Sequence, residues 1–362
     1  MGRKVINVVD LHAGEPGRVV LGQDLRVRGS SMAERLRFCE KNLNWFRRLV
    51  LSEPRGYPAV CAPLITAPVN PDSAFGLIVM EQGGFRPMSG SNLICAVTAL
   101  AETGAIDILD GEETLRVDTA VGTVEVTVTM ENGRASNVCF SNVPSFSVER
   151  DLELDLPEYG KVTVDIAFGG QFYVLADASQ FGFDLTADNT RRAIRVASLI
   201  HAVAARDVDV LHPVNSDLNT IALPMLYQDS PNEGVDARHM TVLPNGVVDP
   251  SDPETWDGVL DRSPCGTGTS SRIATEVARG RLQQGDTYVA ESLVGVTFTG
   301  EVGEPTTCGY YDATTPIING RAWITGINQL VLEPDDPFQA GYRAGDIWGR
   351  DDDSPNYERL GS

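Results

Sequence analysis

The sequence predicts a mixed α+β protein made of two related halves. Three observations carry that prediction: strand-like runs outnumber helical ones, several of them alternate apolar with polar residues, and one short segment recurs. With 362 residues, 42 % apolar and 22 % charged, the chain can bury a sizeable core in two ordinary domains or one large one.

The strand-like runs are Arg18–Leu21, Ala74–Glu81, Thr114–Asp118, Gly122–Met130, Val162–Phe168, Gln171–Ala176, Val294–Phe298 and Gly320–Leu332. Gly, Pro, Asn and Asp punctuate them. Residues 123–129 alternate Thr or Glu with Val, the pattern of a sheet with one wet face. Helical spacing of apolar residues predicts a long helix over Ser31–Leu49, with Ser31 as its cap, and another over Asp188–His201 extended by Ala202–Ala205. Residues Asn142–Tyr159 lack clear periodicity, carry an acidic cluster and mark the expected boundary between halves. The domains are therefore expected at 1–150 and 151–330, with 331–362 packing back on the first. The turn-rich stretch Pro244–Asp257 reads as a loop, and the polar tail after Asp351 as loose.

Charge and composition exclude several classes. There are 29 basic and 50 acidic side chains, a formal charge of −21 that repels nucleic acid and anionic membrane. No apolar run approaches a ~20-residue span, and no leader pattern opens the sequence, so a cytoplasmic location is expected. Six dispersed cysteines and four histidines show no metal-ligand spacing, so neither a metal nor a disulfide framework is expected. The expected partner is a small molecule, with a homodimer as the expected assembly.

The recurring segment carries chemistry. Met88-Ser89-Gly90-Ser91-Asn92 opens a helix-like stretch that ends at Gly104, and Pro264-Cys265-Gly266-Thr267-Gly268 opens one that ends at Gly280. Ser89 aligns with Cys265, Gly90 with Gly266, Ser91 with Thr267, and both glycines fall 15 residues on. Each half alone could be an ordinary capped helix. The matched pair points instead to two helix N-termini aimed at one carboxylate, with a small acid–base group at each. Such donors stabilise the charge that builds when a proton leaves the adjacent carbon, and a side chain on either face can take or return that proton. No organic cofactor is needed.

These residues carry a resemblance to a known family. Residues Asp10–Val20, Glu53-Pro54-Arg55-Gly56, Phe75-Gly76 and above all Asp261–Ser270 resemble the proline racemase superfamily along nearly the whole chain. The resemblance implies a fold like diaminopimelate epimerase, two pseudo-symmetric α/β halves with the active site in the cleft between them. It further implies that Gly90, Ser91, Gly266 and Thr267 bind the substrate carboxylate and that Asp261 pairs with its ring ammonium. His12 and His239 are expected to be structural.

The chain departs from the racemase pattern at one catalytic position, where Ser89 stands in place of a cysteine; Ser91 and Asn92 replace the usual His and Gly. A hydroxyl is a far weaker acid than a thiol, which disfavours symmetric racemisation of proline. Family members with a Ser/Cys pair resemble trans-3-hydroxy-L-proline dehydratases, some also epimerising 4-hydroxyproline. The expected activity is therefore dehydration of trans-3-hydroxy-L-proline, with 4-hydroxyproline 2-epimerisation in the same site as the alternative. A non-catalytic imino-acid binder is a third reading, against which the intact setting of Cys265 counts. Family logic puts the proton acceptor at Ser89, whereas thiol acidity favours Cys265.

Overall fold

A computed structural model describes residues 3–21, 25–244, 246–344 and 347–348. The tail after Asp351 lies outside the described residues. The chain divides into two compact units, residues 1–139 with 321–362, and residues 140–320.

The first unit runs β1 (Lys4–Ala13), β2 (Glu15–Leu21), α1 (Met32–Asn42), α2 (Asn44–Leu51), β3 (Ala62–Thr66), β4 (Phe75–Glu81), β5 (Gly84–Arg86), α3 (Gly90–Glu102), β6 (Gly111–Thr119) and β7 (Gly122–Glu131). The next strand, β8 (Arg134–Ser141), runs across the division. The second unit continues with β9 (Phe146–Leu156), β10 (Gly160–Phe168), β11 (Phe172–Asp177), α4 (Thr190–Asp207), β12 (Ile221–Asp229), β13 (Ala237–Pro244), β14 (Gly258–Leu260), α5 (Gly266–Ala278), β15 (Thr287–Ser292) and β16 (Thr297–Glu301). Three short strands follow, β17 (Pro305–Cys308), β18 (Tyr311–Thr314) and β19 (Ile317–Gly320), and β20 (Trp323–Leu332) rejoins the first unit.

Both units have the same sheet topology. In the first, the order β20-β1-β2-β3-β4-β6-β7 is joined antiparallel, antiparallel, parallel, antiparallel, parallel and antiparallel. In the second, β9-β10-β11-β12-β13-β15-β16 repeats that series step for step. The parallel steps fall where helices intervene, because a parallel neighbour needs a crossover rather than a hairpin. This is the mixed α+β class the alternating strands predicted.

One helix in each unit is sheathed by sheet. Helix α3 packs on β1, β2, β3 and β20, and α5 packs on β9, β10, β11 and β16. Both have 13 residues, and nearly every one is buried. A helix covered all round must be built from apolar or small residues. Helix α3 uses Leu93, Ile94, Ala96, Val97 and Leu100, whereas α5 is rich in Ser and Thr whose hydroxyls bond back to carbonyls one turn earlier. Both end alike, on Gly104 and Gly280 at φ 70°. Ala105 and Arg281 each bond back across that glycine at 2.9 Å, to Leu100 and Glu276.

Several elements differ from their sequence-based expectation. The helix over Ser31–Leu49 is two helices, α1 and α2, because Leu43 leaves the helical region at φ −117°, ψ 15°. Ser31 does cap it, accepting from the Glu34 N–H at 3.2 Å. The strand expected at Val294–Phe298 starts only at Thr297, since Ser292–Gly295 form a turn. The stretch Asn142–Tyr159 holds a full strand, β9, with Leu154 and Leu156 buried and Asp151, Glu153 and Asp155 outward. A shift in its pairing with β10 near Asp151 (φ 57°) scrambles the period-two pattern that sequence reading depends on. The expected division at 150/151 thus lies inside a strand. Of the stretch expected as a loop, Pro244 ends β13 and residues 246–257 form the loop, anchored by buried Trp256 whose indole donates to Asp249 O at 2.9 Å.

Asp118 on β6 shows how the first unit holds its loops. Its carboxylate accepts from the N–H groups of Val69 and Asn70 and the hydroxyl of Ser73, each at 2.7 Å, and from the hydroxyl of Thr123 at 2.9 Å. Burial penalises the charge, but these donors outweigh it and hold the carboxyl below its usual range. Its stabilisation is complete above the unfolded value of ~3.9 and is lost as pH falls through the lower folded value. Asp118→Ala should therefore cost about 3 kcal/mol at pH 7 in urea unfolding, with a gap that narrows below pH ~4. An undiminished gap in acid would contradict this.

Candidate active site

Ser89 occupies the N-cap of α3 in extended backbone, φ −153°, ψ 126°. Its carbonyl takes the first helical bond from Leu93 at 2.9 Å, yet its hydroxyl caps nothing. The Ser89 Oγ instead accepts from Asn92 Nδ2 at 2.9 Å and lies 3.4 Å from Ser91 Oγ. Ser31, a working cap in the same chain, does the opposite. The ordinary explanation for a serine before a helix therefore fails at Ser89. The N–H groups of Gly90, Ser91 and Asn92 precede the first helical bond and form a short donor-rich turn.

Cys265 occupies the matching place on α5, with Thr269 N donating to its carbonyl at 2.7 Å. Its backbone lies at φ 65°, a region L residues rarely enter and that costs about 1–3 kcal/mol. A ladder of turn bonds holds it there. Asp261 N donates to Thr241 O at 2.9 Å, Ser263 N to Asp261 Oδ1 at 2.8 Å, and Cys265 N to Ser263 Oγ at 3.1 Å. Asp261 is thus a turn former, as its sequence context allows, but a buried one at 6 % exposure.

The thiol is buried too, and its surroundings are specific. Tyr173 Oη lies 3.2 Å from Cys265 Sγ and 2.7 Å from Thr267 Oγ1. Burial and then the Asp261 carboxylate push the thiol up to about 12, while the Tyr173 hydroxyl and the Gly268 N–H pull it down. Cys265 is accordingly a protonated thiol at neutral pH. At Gly268 a Cβ would lie 3.2 Å from the thiol sulfur and would push the Met225 methyl aside. Glycine is required at 169, where a Cβ would fall 2.2 Å from the Thr267 carbonyl oxygen and 2.7 Å from Ser271 N, both helix backbone.

Each unit therefore assembles its own set of the expected residues: Ser89, Gly90 and Ser91 on α3, and Asp261, Cys265, Gly266 and Thr267 around the start of α5. Tyr173 escaped the sequence reading because it lies 92 residues before Cys265, on a strand with no motif spacing to it. His12 and His239, the histidines expected to be structural, lie in different surroundings. His12 stacks on Trp323 at 5.4 Å. His239 is 1 % exposed, with Nε2 3.0 Å from Tyr288 Oη and Nδ1 3.3 Å from Pro264 O. Among the described residues no group of three or more His, Cys, Asp or Glu side chains could hold a metal ion, and no helix is long and apolar enough to cross a membrane.

The repeated topology and the matching helix openings, one on Ser89 and one on Cys265, define a duplicated α+β protein. The chain belongs to the proline racemase family, whose model matches residues 8–343. It is 34 % identical to a proline racemase of Clostridioides difficile over 93 % of this chain and 97 % of that protein. It is 33 % identical to a 4-hydroxyproline 2-epimerase of Agrobacterium fabrum, over 96 % and 97 %. Among solved structures, a hydroxyproline epimerase from Agrobacterium vitis with bound trans-4-hydroxy-L-proline matches at a TM-score of 0.88 and 31 % identity, covering 96 % of this chain and 98 % of that one.

His239 gives a test of this packing. Burial first, then the charge of Arg272, depress its pKa to about 3 against the bond its Nδ1 donates to Pro264 O. Between that value and the unfolded ~6.5 the unfolded chain binds the extra proton, so stability rises with pH there. As pH falls from 7.5 to 5, the wild type should lose its stability advantage over His239→Gln, by up to about 1.4 kcal/mol per unit. Urea midpoints that run parallel would refute the buried neutral ring.

Proposed function

We propose that this chain dehydrates trans-3-hydroxy-L-proline to delta-1-pyrroline-2-carboxylate, with Ser89 as the proton acceptor. The observation that carries the reading is the Ser89 hydroxyl itself, which stands at the N-terminus of α3 without capping it and takes its hydrogen bond from Asn92. In this substrate the 3-hydroxyl lies across the ring from the carboxylate and so shares a face with the α-hydrogen. A hydroxyl can serve that face without ever standing as an alkoxide. Ser89 Oγ takes the proton from Cα as it passes its own proton to the departing hydroxide. The Cα–H and Cβ–O bonds break, water leaves, and the enamine tautomerises to the pyrroline.

The N–H groups of Gly90, Ser91, Gly266 and Thr267 receive the carboxylate, and Asp261 receives the ring ammonium. That ammonium offsets the Asp261 charge which raises the Cys265 thiol.

A second reading is 4-hydroxyproline 2-epimerisation in the same site. The likeness to the Agrobacterium vitis epimerase structure supports it, as does the retained Cys265 in its tyrosine-flanked setting. Here Ser89 and Cys265 serve opposite faces of the α-carbon, one taking a proton and the other supplying one.

Incubation with trans-3-hydroxy-L-proline, trans-4-hydroxy-L-proline and L-proline in deuterium oxide, followed by NMR, separates the readings. Pyrroline formation is expected from the first, and a new diastereomer from the second would support epimerisation. Ser89→Ala should cut dehydration at least a hundredfold, while Cys265→Ser leaves α-exchange of the 3-hydroxy substrate largely intact. The reverse pattern would move the acceptor role to Cys265. Binding without exchange of any substrate would leave only an imino-acid binder.

A further inference from the structure

The two catalytic groups sit on matching helix ends, but their flanking strands differ. In the first unit the hairpin between β1 and β2 pairs His12 with Pro16 and turns at Gly14, φ 89°. In the second, the hairpin between β10 and β11 pairs Phe168 with Phe172 and turns at Gly170, φ 111°. Laid on one another by these pairs, the hairpins set Gly17 where Tyr173 stands. At Gly17 a Cβ would come 3.1 Å from the Cys95 sulfur on α3, a tight contact that a larger side chain could make only if that sulfur gave way. The second unit uses that position for a phenol aimed at the helix N-terminus.

We propose that Tyr173 is a positioning residue for Cys265: its hydroxyl accepts from Thr267 and donates to the Cys265 sulfur, stabilising the thiolate each time the thiol gives up its proton. This rests on the reading of Cys265 as an acid–base group. The geometry is a closed triangle, with Tyr173 Oη 2.7 Å from Thr267 Oγ1 and 3.2 Å from Cys265 Sγ, and the third side 3.8 Å. Tyr173 is wholly buried on a central strand, so its ring has no freedom to turn the hydroxyl away. Burial, and then the neighbouring thiol, raise its pKa well above the usual phenol value, so the group stays a donor and never competes as a base. A thiolate beside the buried Asp261 carboxylate needs such a donor, because two like charges in a dry site repel strongly. Ser89, which passes through no standing anion in dehydration, has no counterpart and takes an amide N–H from its own helix instead.

The test is Tyr173→Phe, which removes one oxygen and keeps the ring. A lost hydrogen bond to a charged sulfur raises the thiol pKa by about one to two units. Alkylation of Cys265 by iodoacetamide at pH 8, followed by peptide mass mapping, should then slow about three- to tenfold. The rate at half-buried Cys139 should stay unchanged as an internal control. Equal or faster alkylation of Cys265 overturns the proposal. If Tyr173→Phe does not fold by circular dichroism, Thr267→Val must slow the same reaction at least twofold, and no slowing is equally fatal. In turnover, Tyr173→Phe should move the pH profile of trans-4-hydroxy-L-proline exchange upward by about one unit with little change in KM. It should add nothing further in a Cys265→Ser background. Absence of exchange with any substrate would sink the functional reading, while the alkylation rates would still decide the role of the tyrosine.

Discussion

A helix covered by sheet on every side has one place where its backbone can meet a ligand, its first turn. That constraint organises this protein. Helices α3 and α5 are buried along nearly their whole length. Their interior peptide groups are spent on their own helical bonds, and their last carbonyls are closed over Gly104 and Gly280. The opening N–H groups precede the first helical bond, and at such a point an anion gains both from the donors and from the helix dipole. The sheet series, the crossovers and the invasive glycines all follow from the need to wrap such a helix closely. Gly169 shows how close the wrapping is, since a Cβ there would lie 2.2 Å from the Thr267 carbonyl oxygen.

Duplication of the unit did not produce duplicate surroundings for Ser89 and Cys265. Ser89 is held in relaxed extended backbone and draws a hydrogen bond from the side chain three residues along its helix. Cys265 is held at φ 65° by a ladder of turn bonds through Asp261 and Ser263, and its sulfur meets a phenol from a neighbouring strand. Backbone strain of this kind persists only where the surroundings over-determine it, and here they do. The difference between the two groups extends beyond oxygen against sulfur to the donors each is given. A hydroxyl that relays a proton needs little support, whereas a thiol beside a buried carboxylate needs a great deal.

The sequence by itself determined the fold class, the recurrence and the pair of helix openings. Alternation along β7, the Gly-terminated helices and the Ser31 cap are local signals, written within one or two turns of chain. The glycine stops could be read because only glycine adopts φ 70° freely, and both did so. Tertiary structure decided what local patterns cannot encode. It split the helix at Leu43 and hid β9 behind a register shift near Asp151, because pairing with another strand, not spacing along its own, sets that register. It also freed the Ser89 hydroxyl from capping, a choice that depends on how Asn92 is turned. Above all it brought Tyr173 to Cys265 across 92 residues, a contact made by strand pairing and helix burial together. No motif could announce it, since proximity in a folded sheet is fixed by topology and not by distance along the chain.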